Sequence, residues 1–176
     1  SRVLLGGDLE IDYSNKEGDK GLISQVESFS TVSQMVEFST MISTIKKTNN
    51  KTSFTRIKAI DQNYPLYGNV IYEPMEALEN LNKIDNTIMV NENIFKNLNL
   101  KINDIVKVQN KEFKVIGVVK VLPDIGGAFV FGDFALTGKK TLDNLELNTL
   151  GSFLNYEYKI RFDNKENKDN KINKIE

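Results

Sequence analysis

The chain contains no cysteine and no histidine among its 176 residues. These absences exclude disulfide bonds, thiol nucleophiles, the usual zinc ligands and every catalytic triad that depends on an imidazole. Charge of one sign is also missing, because 23 basic residues face 24 acidic ones and the formal net charge is -1. No global excess of positive charge therefore points to a nucleic-acid partner.

Long hydrophobic runs are missing as well. No run approaches the roughly 20 apolar residues that a helix needs to cross a bilayer. The longest one, residues 115–122, is broken by Lys120 and suits a buried strand. No signal peptide is visible, and the chain starts with Ser1 rather than with methionine. We therefore expect a fragment of a longer protein, whose hidden flanks leave room for membrane segments.

The first third of the chain predicts a strand, a helix and a long hairpin. Leu9, Ile11 and Tyr13 alternate with acidic residues, as in a half-buried strand. Apolar side chains on one face predict a helix over about 20–29. Two apolar strands, 35–45 and 53–60, are joined by a polar loop. This order is typical of the opening of a split βαβ, ferredoxin-like unit.

The rest of the chain predicts an inserted lobe and a return to the first one. Short strands and one-turn helices from about Tyr72 to Leu150 favour a small mixed β lobe. Within it the sequence predicts a helix from Pro74 to about Leu81, a helix capped by Asn91 and a tight reversal at Asn110 and Lys111. Residues 156–162 then show the cleanest two-residue alternation, and we expect that strand to pair with the opening hairpin. The predicted fold class is α+β, with residues 1–71 and 151–176 forming one discontinuous lobe and residues 72–150 inserted into it.

The junction after the hairpin is a candidate hinge. Pro65 biases Tyr64 towards extended geometry, and Gly68 permits a turn that other residues resist. The segment 60–70 is therefore expected to hold the chain in one direction between the two lobes. The alternative is an ordinary strand that ends in a turn.

A second candidate is an apolar loop. Phe129 and Phe131 lie beside glycines in the loop 123–132. Core packing is the more common role for such side chains. The functional alternative is an exposed apolar lip that contacts a lipid tail, a peptide or a partner subunit.

Motifs for catalysis and cofactor binding are weak. The glycines of the 123–132 loop match neither a Walker motif nor a dinucleotide-binding loop, because the required spacing is absent. Four acids could converge in space as a general acid–base pair, but no spacing selects two of them; they are Asp8, Asp61, Asp104 and Asp124. We expect no enzyme, no cofactor and no metal site.

The order of several short motifs carries a resemblance to a known family. The motifs occupy residues 7–10, 38–41, 57–61, 64–68, 98–106, 123–124, 142–145, 151–152 and 156–158. Together they resemble the extracytoplasmic domain of ABC transporter permeases of the MacB/FtsX-like class, with the YbbP-like permeases as the nearest subgroup. The most specific motif is Tyr64-Pro65-Leu66-Tyr67-Gly68. Asn103 departs from the family pattern, which has glycine there, but asparagine tolerates left-handed geometry.

The resemblance implies a Porter-like α/β lobe with an inserted Sabre-like β lobe, on the extracytoplasmic (periplasmic) face of the bacterial inner membrane. Its implied partners are the transmembrane part of the same permease, a separate cytoplasmic ATPase that does not touch the domain, and a periplasmic partner or hydrophobic cargo. The implied function is non-catalytic: ATP-driven movement of the transmembrane helices is coupled to export or release of a lipid-linked, lipoprotein or other hydrophobic cargo.

Two other functions stay open at this point. The first is a stand-alone extracellular module that holds a ligand between its lobes, and flanks without apolar segments of about 20 residues would favour it. The second is a carboxylate-based hydrolase, which would need two carboxylates about 5–10 Å apart in a cleft.

Overall fold

The elements of the fold follow the predicted order, with additions. A computed structural model describes residues 2–5, 8–14, 18, 20–27, 30–45, 48, 50–123, 132–145 and 154–162. Its helices are α1 (Lys20–Glu27), α2 (Ala77–Asn80) and α3 (Glu92–Asn97), and a 3₁₀ helix covers Lys139–Asn144. Its strands are β1 (Arg2–Leu5), β2 (Asp8–Ser14), β3 (Ser30–Thr44), β4 (Thr52–Ile60), β5 (Ile71–Glu73), β6 (Thr87–Asn91), β7 (Ile105–Val108), β8 (Lys111–Val121), β9 (Asp133–Gly138) and β10 (Asn155–Phe162).

The opening of the chain forms the predicted split βαβ unit. β10 lies between β2 and β3 and is antiparallel to both, so β2 and β3 are parallel to each other. α1 comes between them in the chain and packs Leu22 and Ile23 against side chains from three strands, among them Val32 and Ile160. The predicted pairing of the alternating strand 156–162 with the hairpin is confirmed, because β10 pairs with β3 along its whole length.

Six strands close into a barrel. β3 pairs with β4, β4 with β9, β9 with β6, β6 with β8 and β8 with β7, and β7 then returns to the far end of β3. Each of the six strands contributes apolar side chains to one buried cluster, for example Phe38, Ile57, Ile88, Val108, Phe113 and Ala135. The main core of the molecule is therefore the inside of this barrel.

A second core lies between the outside of the barrel and α2. α2 contributes Ala77, and the turn after it contributes Leu81. The barrel strands contribute Met35, Ile60 and Leu136. This second core fixes the wall of the cleft described below.

Two local signals in the sequence are confirmed. The Asn91 side chain caps α3, because its Oδ1 accepts a hydrogen bond from the Ile94 backbone N–H at 3.0 Å. Asn103 adopts a left-handed conformation with φ of 76° and so supports the turn in which the family pattern has glycine. The tight reversal before β8 lies one residue earlier than predicted, at Gln109 and Asn110, whose φ angles are 50° and 65°.

Other expectations need correction. No element was predicted for residues 133–138, yet β9 forms there and pairs with β4 and β6 inside the barrel wall. β3 begins at Ser30 rather than at Met35, since pairing with β10 extends it. The helix predicted from Pro74 to about Leu81 is reduced to α2, with irregular turns on both sides.

The barrel draws strands from both predicted lobes. β3 and β4 belong to residues 1–71, whereas β6, β7, β8 and β9 belong to residues 72–150. The two segments are joined by six residue pairs between β4 and β9 and by three pairs between β3 and β7. The division into two lobes stays a prediction, and any movement between them has to deform these ladders.

Candidate functional site

Asp61 organises the end of β4. Its Oδ1 accepts hydrogen bonds from the Ser33 hydroxyl and from the Asn63 backbone N–H, both at 3.0 Å. Its Oδ2 accepts a hydrogen bond from the Gln34 backbone N–H at 2.6 Å. The Asn63 side-chain amide also donates to the Val32 carbonyl at 2.8 Å. The carboxylate therefore ties the start of the junction to β3 and turns the chain out of the barrel wall.

The predicted hinge residues follow directly. Tyr64 is 8% exposed and belongs to the second core, so it anchors the segment rather than pointing into solvent. The Tyr64–Pro65 peptide bond is cis. Gly68 has φ of 67°, and a Cβ placed on it would lie 2.6 Å from the Cβ of Pro123. Only glycine fits this close approach in a left-handed turn. Whether the segment works as a hinge stays a prediction.

A cleft of about 400 Å³ opens beside this junction. One side is formed by residues 60–64, and the other by β5, α2 and the turn after α2. Its apolar lining includes Tyr64, Tyr72 and Leu78, and Met75 stands at the cleft with 89% of its surface exposed. The Tyr72 hydroxyl donates to the Met75 carbonyl at 3.1 Å and so holds the turn between β5 and α2. This volume lies within the range of small-ligand sites.

The polar lining of the cleft consists of two acids, one base and the amide side chains of Gln62 and Asn82. It includes the carboxylates of Asp61 and Glu79 and the ammonium of Lys83. Glu79 Oε1 lies 3.3 Å from Lys83 Nζ, and both side chains are about two-thirds exposed, at 64% and 63%. An exposed ion pair of this kind contributes little stability, roughly 0–1 kcal/mol. It can therefore be exchanged for another partner at small cost.

Of the four acids proposed for a hydrolase, the structure describes the side chains of two, and only one of these two lines the cleft. That acid is Asp61, and its oxygens are engaged by the chain itself. Asp104 lies elsewhere, in the turn before β7, where its Oδ2 accepts from the Lys101 backbone N–H at 2.8 Å. The side chain of Asp8 and all of Asp124 lie outside the described residues. Within the described ranges, no group of three or more acidic residues is arranged to hold a metal ion.

The predicted apolar contact loop lies outside the described residues. Phe129 and Phe131 both belong to residues 124–131, which lie outside the described residues. Their role as an apolar contact loop stays a prediction.

Sequence reasoning missed most of the cleft. Tyr72, Met75, Glu79 and Lys83 were not selected, although Glu79 and Lys83 have the i,i+4 spacing that favours an ion pair on a helix. That spacing was a usable signal for the pair. The sequence carries no signal that places this pair near Asp61, because only the packing of the second core brings the two segments together.

Comparisons with known proteins identify the fold. No protein-family model matches the chain, and no curated protein matches it. The extracellular domain of the noncanonic ABC-type transporter YknZ from Gram-positive bacteria aligns over 94% of this chain and 79% of that chain, with a TM-score of 0.53 and 9% identity. The periplasmic region of MacB from Actinobacillus actinomycetemcomitans aligns over 88% of this chain and 75% of that chain, with a TM-score of 0.53 and 14% identity.

The chain has the fold of these extracytoplasmic transporter domains. The predicted α+β class is thereby confirmed, and so is the MacB-like part of the resemblance at the level of the fold. The YbbP-like subgroup stays a prediction. Across the described residues, no helix combines the length and the apolar character needed to span a membrane.

Proposed function

We propose that the chain is a non-catalytic extracytoplasmic domain of an ABC transporter permease of the MacB- and YknZ-like class, in the YbbP-like subgroup. The observation that carries the proposal is the structural similarity to the YknZ extracellular domain, which extends over 94% of this chain. The ordered motifs from residues 7–10 to residues 156–158 support the same assignment. The domain stands on the periplasmic face of the bacterial inner membrane, and its first partner is the transmembrane part of the same permease.

The domain acts as a moving part of the transporter. A separate cytoplasmic ATPase drives the transmembrane part, and the domain is displaced by that movement without contacting the ATPase. β10 is suited to pass the displacement on, because it pairs with both β2 and β3. Since β3 is also a wall of the barrel, a shift of β10 reaches the barrel through continuous backbone pairing.

The proposed cargo is lipid-linked, a lipoprotein or otherwise hydrophobic. Two apolar surfaces support this class. The cleft presents Tyr64, Tyr72 and Met75. Met41 and Phe54 face each other across β3 and β4 near the tip of the hairpin, and they are 46% and 67% exposed. A periplasmic partner protein is the other class of contact that these surfaces can serve.

The location of the domain can be tested with one cysteine introduced into it, because its 176 residues contain none and any cysteine in the flanks can be replaced first. Lys107 is exposed on β7, so Lys107→Cys in the full-length protein of the parent gene should be accessible to solvent. We expect a membrane-impermeant maleimide to label it in intact spheroplasts as completely as after lysis. A cytoplasmic protein with an accessible cysteine serves as the control and should react only after lysis. Labelling that needs lysis would overturn the proposed location.

The hinge at Tyr64, Pro65 and Gly68 is proposed to let the predicted lobes move during the transport cycle. Ser43 and Lys107 are opposite each other where β3 meets β7, at the closure of the barrel. Residues directly opposite in an antiparallel pair have Cα atoms about 4.5–5.5 Å apart, within the range of about 4.4–6.8 Å that a disulfide spans. The double variant Ser43→Cys, Lys107→Cys should therefore lock the lobes when oxidised. We expect the ATPase rate of the purified transporter in nanodiscs to fall several-fold, and to recover on reduction.

A disulfide within one predicted lobe provides the matched control. Ser39 and Arg56 are opposite each other across β3 and β4, so Ser39→Cys, Arg56→Cys leaves movement between the lobes free. The ATPase rate of this variant should not change on oxidation. If the β3–β7 disulfide also forms completely without changing the rate, the hinge proposal is wrong, while the proposed location is unaffected.

A stand-alone ligand-binding module is the second candidate, and the cleft of about 400 Å³ is the observation that favours it. The parent gene separates the two candidates. Apolar segments of about 20 residues on both sides of the chain favour the permease, and flanks without them favour the module.

A further inference from the structure

The cleft beside the junction combines three features that together define a class of ligand. Its apolar lining includes the aromatic side chains of Tyr64 and Tyr72. Its polar lining contains the carboxylates of Asp61 and Glu79. Met75 also lines the cleft and, at 89% exposure, extends the apolar surface towards solvent. A ligand that fits all three features carries a positive charge beside an apolar group.

The surrounding charges point the same way. The segment 71–85, part of which lines the cleft, contains the acids Glu73, Glu76, Glu79 and Asp85, and Lys83 is its only basic residue. From outside this segment, Lys140 reaches Asp85 at 3.8 Å. The segment therefore keeps a net negative charge after these ion pairs are formed. An electronegative, partly enclosed surface attracts cations and raises the rate at which they associate.

An ion pair within the protein already places a cation at the cleft. The Lys83 ammonium lies 3.3 Å from the Glu79 carboxylate at the cleft. Both side chains are largely exposed, so a ligand cation can replace Lys83 without the cost of opening a buried pair. The ring of Tyr72, which lines the cleft and is only partly buried, adds attraction for a cation that comes within about 6 Å of it.

We propose that this cleft binds a basic segment of polypeptide, in which a lysine or arginine side chain is flanked by apolar residues. The basic side chain lies against Glu79, and the apolar neighbours cover Tyr72 and Met75. A polypeptide fits better than a compact small molecule because the apolar surface of the cleft reaches towards solvent at Met75, and Ile84, which is 50% exposed, follows Lys83 in the chain. The inference deepens the proposed function, since it names the chemistry of a cargo or partner that the domain holds.

Binding can be measured on the 176-residue chain alone, so the outcome is independent of the location test. The probe is the acetylated and amidated pentapeptide Gly-Phe-Lys-Leu-Gly, followed by ¹H–¹⁵N correlation spectra. We expect saturable shifts of the amides of residues 60–64 and 72–83, with weaker binding at high salt. The same peptide with glutamate in place of lysine should bind at least several-fold more weakly. Equal binding of both peptides, or shifts that map elsewhere, would overturn the proposal.

Two variants at the ion pair should change the affinity in opposite directions. Glu79→Gln removes the carboxylate and releases Lys83 into the cleft, so the dissociation constant should rise by up to about fivefold. Lys83→Met removes the competing ammonium, so the dissociation constant should fall. Loss of folding cannot produce a tighter complex, and the pair of variants therefore separates binding from stability.

The matched control is the ion pair of Asp85 and Lys140, whose side chains are 57% and 65% exposed. It has nearly the same exposure as the Glu79–Lys83 pair but does not line the cleft. Asp85→Asn should leave the dissociation constant of the lysine peptide within twofold of the native value. An effect as large as that of Glu79→Gln would mean that general charge attraction, rather than the cleft, holds the peptide, and would overturn the proposal.

Discussion

Replacing Phe113 by alanine is expected to lower the free energy of unfolding by about 3–5 kcal/mol. Phe113 is 1% exposed and belongs to the cluster of side chains inside the barrel. Removal of its ring takes away apolar contacts and leaves a cavity that neighbouring side chains from all six strands cannot fill together. Urea denaturation followed by circular dichroism measures the loss.

The control for this substitution is the same change on the outside of the molecule. Phe54 is 67% exposed on β4, so Phe54→Ala should change the free energy of unfolding by no more than about 0.5 kcal/mol. If Phe113→Ala cost as little as Phe54→Ala, the inside of the barrel would not be the main core. The closed arrangement of the six strands would then be wrong.

Replacing Gly138 by alanine is expected to lower the free energy of unfolding about as much as Phe113→Ala does. The cause is the opposite one, since the substitution adds an atom where there is no space instead of leaving a cavity. A Cβ at this position would lie 2.0 Å from the carbonyl oxygen of Leu81 and 2.8 Å from its carbonyl carbon. These are backbone atoms, which cannot rotate away as a side chain can. We expect a loss of at least about 3 kcal/mol, at the upper end of what overpacking costs. Because Leu81 follows α2, the substitution should also disturb the wall of the cleft and weaken peptide binding.

The identical change in a helix should have the opposite sign. Gly21 is exposed within α1, where alanine is the better helix former by up to about 1 kcal/mol. Thermal unfolding of Gly21→Ala and Gly138→Ala, measured side by side, isolates the effect of position. A mild effect of Gly138→Ala would mean that β9 and the turn after α2 lie farther apart than described.

The elements that the sequence predicts correctly are those with a local physical cause. β10 alternates polar and apolar residues, and Asn91 provides the oxygen that caps α3. Asn103 shows that a departure from a glycine pattern still permits a left-handed turn. Each of these signals depends on a few neighbouring residues, so no knowledge of the tertiary structure is needed to use it.

The elements that were missed depend on contacts between distant parts of the chain. Residues 134–138 of β9 are all buried, so the strand lacks the alternation by which a half-exposed strand is recognised. Its parallel pairing with β4 joins Thr55 to Asp133 and cannot be read from either segment alone. The cleft has the same origin, since the second core brings Asp61 near Glu79 and Lys83. The candidate hinge was selected from Pro65 and Gly68, but a sequence cannot show what surrounds them.

Because β3 and β4 belong to two parts of the structure at once, segments of this domain cannot be exchanged freely with those of another protein. Both strands belong to the sheet that contains β10 and to the ring that encloses Phe113. Transplanting residues 72–150 into another protein would move four strands of the barrel and leave two behind. The transplanted segment would then expose its apolar core side chains and two unpaired strand edges. A functional exchange of residues 72–150 between proteins of this fold therefore requires that the long hairpin moves together with them.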